Sequence, residues 1–320
     1  MKSLIRKRLS LIARLVVVVV IFLFIFRKVS FPSVEHFLTW NLLWVVFFAS
    51  TLGLLQAFLC TVRWRLIARV WFSPPALTRS FWAYNEGLFC NQALPSFVGG
   101  DALRVMRWRE SGVTLLQGST SVFLDRVFGA TGASLLAIAA CGLMMNSPVE
   151  LYKLLSAMGL SLAVLLGALL TFMLAHYSLL FAKTKRFRRI HLFIEAIRAW
   201  APRKSVVFFI ISLATIGQIL SGLGVYVIAL AIGMNLSILI LVSITGIILL
   251  MSMVPISFAG WGVREAGFIA LLVPLGVASS DALALGIAFG LSQLVSSLPG
   301  GISMLLGLTR RNSSSEIRNL

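Results

Sequence analysis

An all-α, polytopic transmembrane bundle is what this sequence predicts, on three observations. Hydrophobic residues fill 59% of the 320 positions and charged residues only 12%, with a mean hydropathy of +0.98; a soluble domain carries about twice that share of charge. The apolar residues fall in continuous runs, such as Leu42–Val62 and Val206–Ile232, whereas a membrane barrel needs short alternating strands. The basic residues gather at the ends of these runs, which is how cytoplasmic connections are marked. At about 20 residues per crossing there is room for roughly seven to nine spans in a single transmembrane domain covering 1–320.

The same composition excludes other classes. A net charge of +18 would suggest nucleic acid in a soluble protein, but no soluble domain is left to bind it, so no nucleic-acid partner is expected. Cys60, Cys90 and Cys141 are odd in number and lack paired spacing, which argues against a disulfide framework or a zinc site. His36, His176 and His191 stand apart, and neither a nucleophile elbow nor a phosphate loop is present, so no catalytic residue, metal or cofactor is expected.

Element by element, Lys2, Arg6, Lys7, Arg8 and Arg14 precede the run Leu15–Phe26, and Arg27-Lys28 stand where a cleavage site would need small residues. The start therefore reads as an uncleaved signal anchor over 9–26 with its N-terminus in the cytoplasm. Leu42–Val62 returns, and Arg63, Arg65, Arg69 and Arg79 mark the cytoplasmic side. Ser80–Gly100 holds Asn85, Glu86, Asn91, Gln92 and Pro95 and is followed by Arg104, Arg107 and Arg109. With basic residues on both flanks, it reads as a re-entrant hairpin that turns back at membrane depth. Spans are expected at about 119–145, 154–176, 206–232 and 236–254. The connection 177–204 carries eight basic residues against Glu195; its apolar residues recur at helical spacing, as in a helix lying in the cytoplasmic headgroup layer. Pro255–Glu265 interrupts the apolar run, and 255–277 is the second candidate hairpin. A final span at 282–306 contains Pro299-Gly300-Gly301 and is expected to be broken or kinked. Arg310, Arg311 and Arg318 place a polar tail, 310–320, in the cytoplasm, giving a multi-pass protein with both termini inside.

The two interruptions echo each other. Pro95, Gly100 and Arg104 have the spacing of Pro255, Gly260 and Arg264, with Asp101 and Glu265 beside them. Interrupted helices at matching positions of two halves point to a transporter's binding site. The stretches Asn91–Arg104 (NQALPSFVGGDALR), Ser121–Arg126 (SVFLDR) and Pro255–Phe268 (PISFAGWGVREAGF) resemble the flippase-like integral membrane family related to the transmembrane region of lysylphosphatidylglycerol synthase. The similarity runs from about Leu42 to Leu308. It implies a bacterial inner-membrane module that binds or translocates lipid. Larger relatives append a soluble aminoacyl-transfer domain; this chain ends soon after its last span, so that catalysis is not expected of it.

An anionic headgroup site is expected from Gly99, Gly100, Asp101 and Arg104 on the first hairpin and Gly260, Gly262, Arg264 and Glu265 on the second. Backbone N–H groups at a helix start favour an anion, and a guanidinium can grip phosphate through two hydrogen bonds. The alternative for the same residues is a charge cluster that locks the hairpins together, with Asp101 and Arg104 paired at i, i+3 and Arg264 and Glu265 reaching across to them. Glu86 is either a coupling carboxylate or a partner of Arg79 or Arg104. Asp125 and Arg126 read as a structural charge pair. The expected cargo is an anionic phospholipid or lipid-linked intermediate. The other functions compatible with the sequence are an accessory subunit of a lipid-modifying glycosyltransferase and a membrane-embedded transferase using Asp101 or Glu86 as base.

Overall fold

The computed structural model describes residues 40–92, 98–145, 203–253 and 261–307, with single positions at 161 and 167. The signal anchor, most of the basic connection 177–204, the tail 310–320, both prolines Pro95 and Pro255, and Gly260 lie outside the described residues. Within them the chain is helical: α1 (Trp40–Arg69), α2 (Leu77–Asn91), α3 (Val98–Arg109), α4 (Leu115–Leu143), α5 (Lys204–Ile232), α6 (Ile238–Ser252), α7 (Val263–Leu272) and α8 (Ser279–Leu306), with a 3-10 turn Val273–Leu275 after α7. No strand occurs among the described residues, which is the all-α bundle expected.

Four helices, α1, α4, α5 and α8, are long and apolar enough to cross a membrane. Their outer faces carry large apolar side chains such as Trp44, Phe47, Phe123, Phe208 and Leu230. Exposed apolar surface on this scale suits a lipid solvent. Between α1 and α4 the chain makes a hairpin of two packed arms, α2 with 15 residues and α3 with 12. Neither arm reaches the roughly 20 residues of a crossing, so the re-entrant shape read from Ser80–Gly100 is the one observed. Gly100 explains how closely the arms approach: a Cβ there would overlap the Gly87 carbonyl oxygen and the Asn91 side chain. The Gly100 N–H donates to Asn91 Oδ1 at 3.0 Å across the turn.

The second half differs from the sequence reading in two places. The stretch 236–254 is not a full span but the 15-residue α6, and it is the entering arm of a second hairpin whose returning arm is the 10-residue α7. The hairpin thus begins at Ile238, well before Pro255, because an apolar run long enough for a span was counted without its break. The last span is not broken: α8 runs without interruption through Pro299. Proline removes one backbone bond in a helix interior, and here α8 continues because it is wedged between α1, α2, α5 and α7. Gly300 lies against the Asn85 carbonyl and Gly301 against the Phe89 ring, so the small residues after the proline serve close packing of α8 on α2. The largest apolar cluster joins α4, α5, α6, α7 and α8 through residues such as Ala137, Ile228, Ile244, Phe268 and Leu285.

Candidate functional site: a buried charge chain

Two Arg-Trp-Arg triplets, Arg63-Trp64-Arg65 at the end of α1 and Arg107-Trp108-Arg109 at the end of α3, are brought together by the first hairpin. Residues two apart on a helix point to nearly opposite sides. Arg63 and Arg107 therefore turn inward, 4% and 6% exposed, while Arg109 faces out and Arg65 donates to the Pro75 carbonyl at 2.9 Å. The middle residues stack, with Trp64 and Trp108 ring centroids 3.7 Å apart and planes within 7°. Trp64 also donates from Nε1 to Ser121 Oγ at 3.0 Å, which ties α1 to α4.

Beside this stack the charges form a chain. Asp125 of α4 uses both oxygens: Oδ1 accepts from Arg63 at 2.8 Å and Oδ2 from Arg104 at 2.8 Å. The Arg104 guanidinium lies over the Trp64 ring at 4.1 Å and the Tyr84 ring at 4.4 Å, so aromatic faces supply part of the solvation that lipid cannot. Its link to Asp101 is longer, 3.5 Å. Asp101 instead takes Arg126 in a two-pronged pair, both contacts at 2.8 Å. The chain is sealed at one end and open at the other: the Asp125 side chain is 2% exposed, Asp101 20% and Arg126 34%.

A second cluster lies on the same hairpin. Glu86 is fully buried; it accepts from Arg107 Nε at 2.5 Å and from Ser303 Oγ of α8 at 2.7 Å. A third, separate group sits at the start of α7. Arg264 donates to Glu265 at 2.6 Å, lies 4.5 Å over the Trp261 ring and presses its guanidinium on Gly290. Glu265 also accepts from the Gly262 N–H at 2.5 Å. Gly262 has φ of 90°, a left-handed turn that a glycine makes without strain.

Set against the sequence reading, these contacts relocate several residues. Asp101 and Arg104 do meet at i, i+3, though weakly. Asp125 and Arg126 do not pair with each other: neighbours in sequence point to different sides of α4, and each takes a partner from the first hairpin or α1. Glu86 is held by Arg107, a partner that the sequence reading did not give it. Arg264 and Glu265 pair locally and do not reach Asp101 and Arg104. On α8, Arg264 packs at Gly290 and Glu86 at Ser303; thirteen residues at about 1.5 Å rise separate the two levels by roughly 20 Å. Hence Arg104 and Arg264 do not share one binding site in this arrangement. Gly100 is spent on packing, while Gly99 is half-buried at the start of α3. Arg63, Arg79 and Arg107, read as loop markers, are buried side chains, and Trp64, Tyr84 and Ser303 were not singled out at all. The doubled Arg-Trp-Arg was the signal that could have found most of them.

No group of three or more His, Cys, Asp or Glu able to hold a metal occurs among the described residues. A family model described as the lysylphosphatidylglycerol synthase TM region matches residues 11–301. No curated protein and no solved structure matches the chain.

Proposed function

The chain belongs to the lysylphosphatidylglycerol synthase transmembrane-region family, and from that premise we propose that it binds an anionic phospholipid or lipid-linked intermediate and carries its headgroup across the bilayer. The observation that supports this reading is a buried arginine chain that opens at one end. Arg63 and Arg104 share the sealed Asp125, while Asp101 and its two-pronged partner Arg126 lie part-exposed at the other end. Guanidinium groups held in a low-dielectric interior need anionic partners, and a headgroup phosphate is such a partner. The half-exposed Arg126–Asp101 pair marks the end from which a headgroup would approach, exchanging one carboxylate partner of Arg126 for a phosphate of similar two-pronged geometry. The acyl chains would remain in lipid beside the apolar outer faces of the helices. With α1 ending among basic residues, this end is assigned to the cytoplasmic side of an inner membrane.

A transferase is less well supported, because the oxygens of Asp101 are committed to Arg126 and those of Glu86 to Arg107 and Ser303, and a general base must be free to take a proton. The test is reconstitution in liposomes containing labelled anionic or zwitterionic phospholipids, read by the fraction of label accessible from outside. Anionic label should cross several-fold faster than in protein-free vesicles, and Arg126→Gln should slow it while leaving the protein folded, since Asp101 keeps Arg104 as a neighbour. Crossing no faster than in empty vesicles would refute the reading. Recovery of a chemically altered lipid would replace it with the transferase.

A further inference from the structure

The echo between the two prolines is the sequence trace of a larger regularity. Helix starts at 40, 77, 98 and 115 recur at 204, 238, 263 and 279, each 161–165 residues later. Each half is a long helix, a two-armed hairpin and a second long helix. Exchanging the halves maps α1 on α5, α2 on α6, α3 on α7 and α4 on α8. Under that exchange the packing pattern maps onto itself. α8 packs on α2 as α4 does on α6, α1 on α8 as α5 on α4, α3 on α4 as α7 on α8, and α1 lies along α5 at the centre.

Individual close contacts repeat as well. A Cβ on Gly53 would lie 2.9 Å from Ser296 Cβ, between α1 and α8, and one on Gly132 would lie 3.0 Å from Ala214 Cβ, between α4 and α5. Gly300 of α8 meets the backbone of Asn85 and Glu86 on α2, while Gly246 of α6 meets the backbone of Ala133 and Ala137 on α4. These are the same two joints, each made twice.

The direction of the helices fixes the kind of repeat. Going up α5 from Gly217 to Gly224, the partners on α1 go down from Cys60 to Ala49, so α1 and α5 are antiparallel. α8 runs parallel to α1, with Ser50 meeting Ser292 and Gly53 meeting Ser296. α4 begins where α1 ends, at the Arg63–Asp125 and Trp64–Ser121 contacts. Hence α4 and α8 are antiparallel too. The first hairpin then rises from the face where α1 ends, and the second from the face where α5 ends. Their inner ends approach the same place: Phe89 of α2 and Trp261 at the turn before α7 belong to one apolar cluster built on Leu294 and Leu298 of α8.

We infer that residues 40–143 and 204–306 form an inverted-topology repeat, related by a pseudo-two-fold axis in the plane of the bilayer, with one hairpin entering from each face of the membrane and the two meeting near mid-depth. Inverted repeats with broken helices are a recurring architecture of secondary transporters, in which one half rocks against the other around a central site. The inference goes beyond the lipid reading and holds whatever the cargo is.

Four exposed positions at the hairpin bases test it: Ser73 and Arg109 for the first, Asn235 and Ser280 for the second. Each is replaced singly by cysteine (Ser73→Cys, Arg109→Cys, Asn235→Cys, Ser280→Cys). Each variant is labelled with a membrane-impermeant maleimide in right-side-out and inside-out vesicles, with the parent chain as the background for Cys60, Cys90 and Cys141. Positions 73 and 109 should label from one side only, and 235 and 280 only from the other. Labelling of all four from one side, or a hairpin whose two bases label from opposite sides, overturns the inference. Because no lipid movement is measured, such a result leaves the proposed cargo to its own test, and a failed liposome assay leaves the repeat intact.

Discussion

Replacing Asp125 by alanine would leave two buried guanidinium groups without their shared carboxylate. Arg63 would keep its 3.3 Å contact to the backbone carbonyl of residue 125, and Arg104 the 3.5 Å contact to Asp101 and its two aromatic faces. Removing one partner of a buried ion pair typically costs about 3–5 kcal/mol, because the remaining charge is stranded; here two charges are stranded, so Asp125→Ala should cost at least about that much. Arg104→Met is the contrasting change. It keeps the stem volume, leaves Asp125 paired with Arg63 and Asp101 paired with Arg126, and strands nothing. Its expected cost is one ion pair offset by relief from desolvation, plus a cation–π contribution of about 1–2 kcal/mol. In detergent-purified protein, thermal unfolding followed by size-exclusion recovery should therefore rank Asp125→Ala well below Arg104→Met, with Arg104→Met close to the parent. The double variant should be less damaged than the sum of the singles, since the two side chains touch. Equal recovery of Asp125→Ala and the parent, or an Arg104→Met that fares worse than Asp125→Ala, would sink the reasoning that this chain is held by balance around one aspartate.

Gly300→Val should abolish accumulation of folded protein, because even a Cβ overlaps the Asn85 carbonyl, whereas Gly142→Ala, whose Cβ would meet nothing within 4 Å, should be neutral or slightly stabilising by helix propensity; membrane-fraction immunoblots compare them. Ser303→Ala removes one hydrogen bond to a buried carboxylate and should cost about 1.5–3 kcal/mol. Glu86→Gln discharges the anion that holds Arg107 and should cost more; if the order is reversed in the same thermal assay, Glu86 is not the anchor of that cluster.

The sequence made the membrane class legible because composition alone decides it: with 12% charged residues, no water-facing shell can be built. The first hairpin was legible because Asn85, Glu86, Asn91 and Gln92 are too polar for a span facing lipid and basic residues flank both ends. The second was only half legible. α6 carries no charge, and Ser243, Thr245 and Ser252 are its polar residues, so nothing in it distinguishes a 15-residue arm from a crossing helix, and only the Pro255–Glu265 break betrayed the turn. Counting basic residues as loop markers also failed where it mattered most. Arg63 and Arg65 flank one tryptophan, as Arg107 and Arg109 flank another, and only helical phase, acting through three-dimensional packing, sends one of each pair inward. The partner of an acid is equally hidden: Glu86 meets Ser303 across 217 positions, a contact that the fold makes and no spacing rule anticipates.

The frame and the charge obey different symmetries, and in the proposed transport the difference would supply a direction. At positions that the repeat places opposite Arg63, Glu86, Arg107 and Asp125, the segments 224–227, 246–248, 268–272 and 286–290 contain no charged residue. The joints at Gly53 and Gly132 recur, whereas the charge chain does not. A symmetric device with a charged seat on one half binds an anion more strongly when that half is open, since guanidinium groups attract phosphate over several ångströms in a low dielectric. The apolar half offers no matching hold except Arg264, already paired with Glu265. Under the proposed orientation, an anionic headgroup would be gathered on the cytoplasmic side and would meet, among the described residues, one further guanidinium, roughly 20 Å away along α8, before the opposite face. In that proposal, release there would follow from the weaker hold. For this reason the buried arginines and the inverted frame belong together in the proposal: the frame would supply two equivalent openings, and the lopsided charge would make them unequal for an anion.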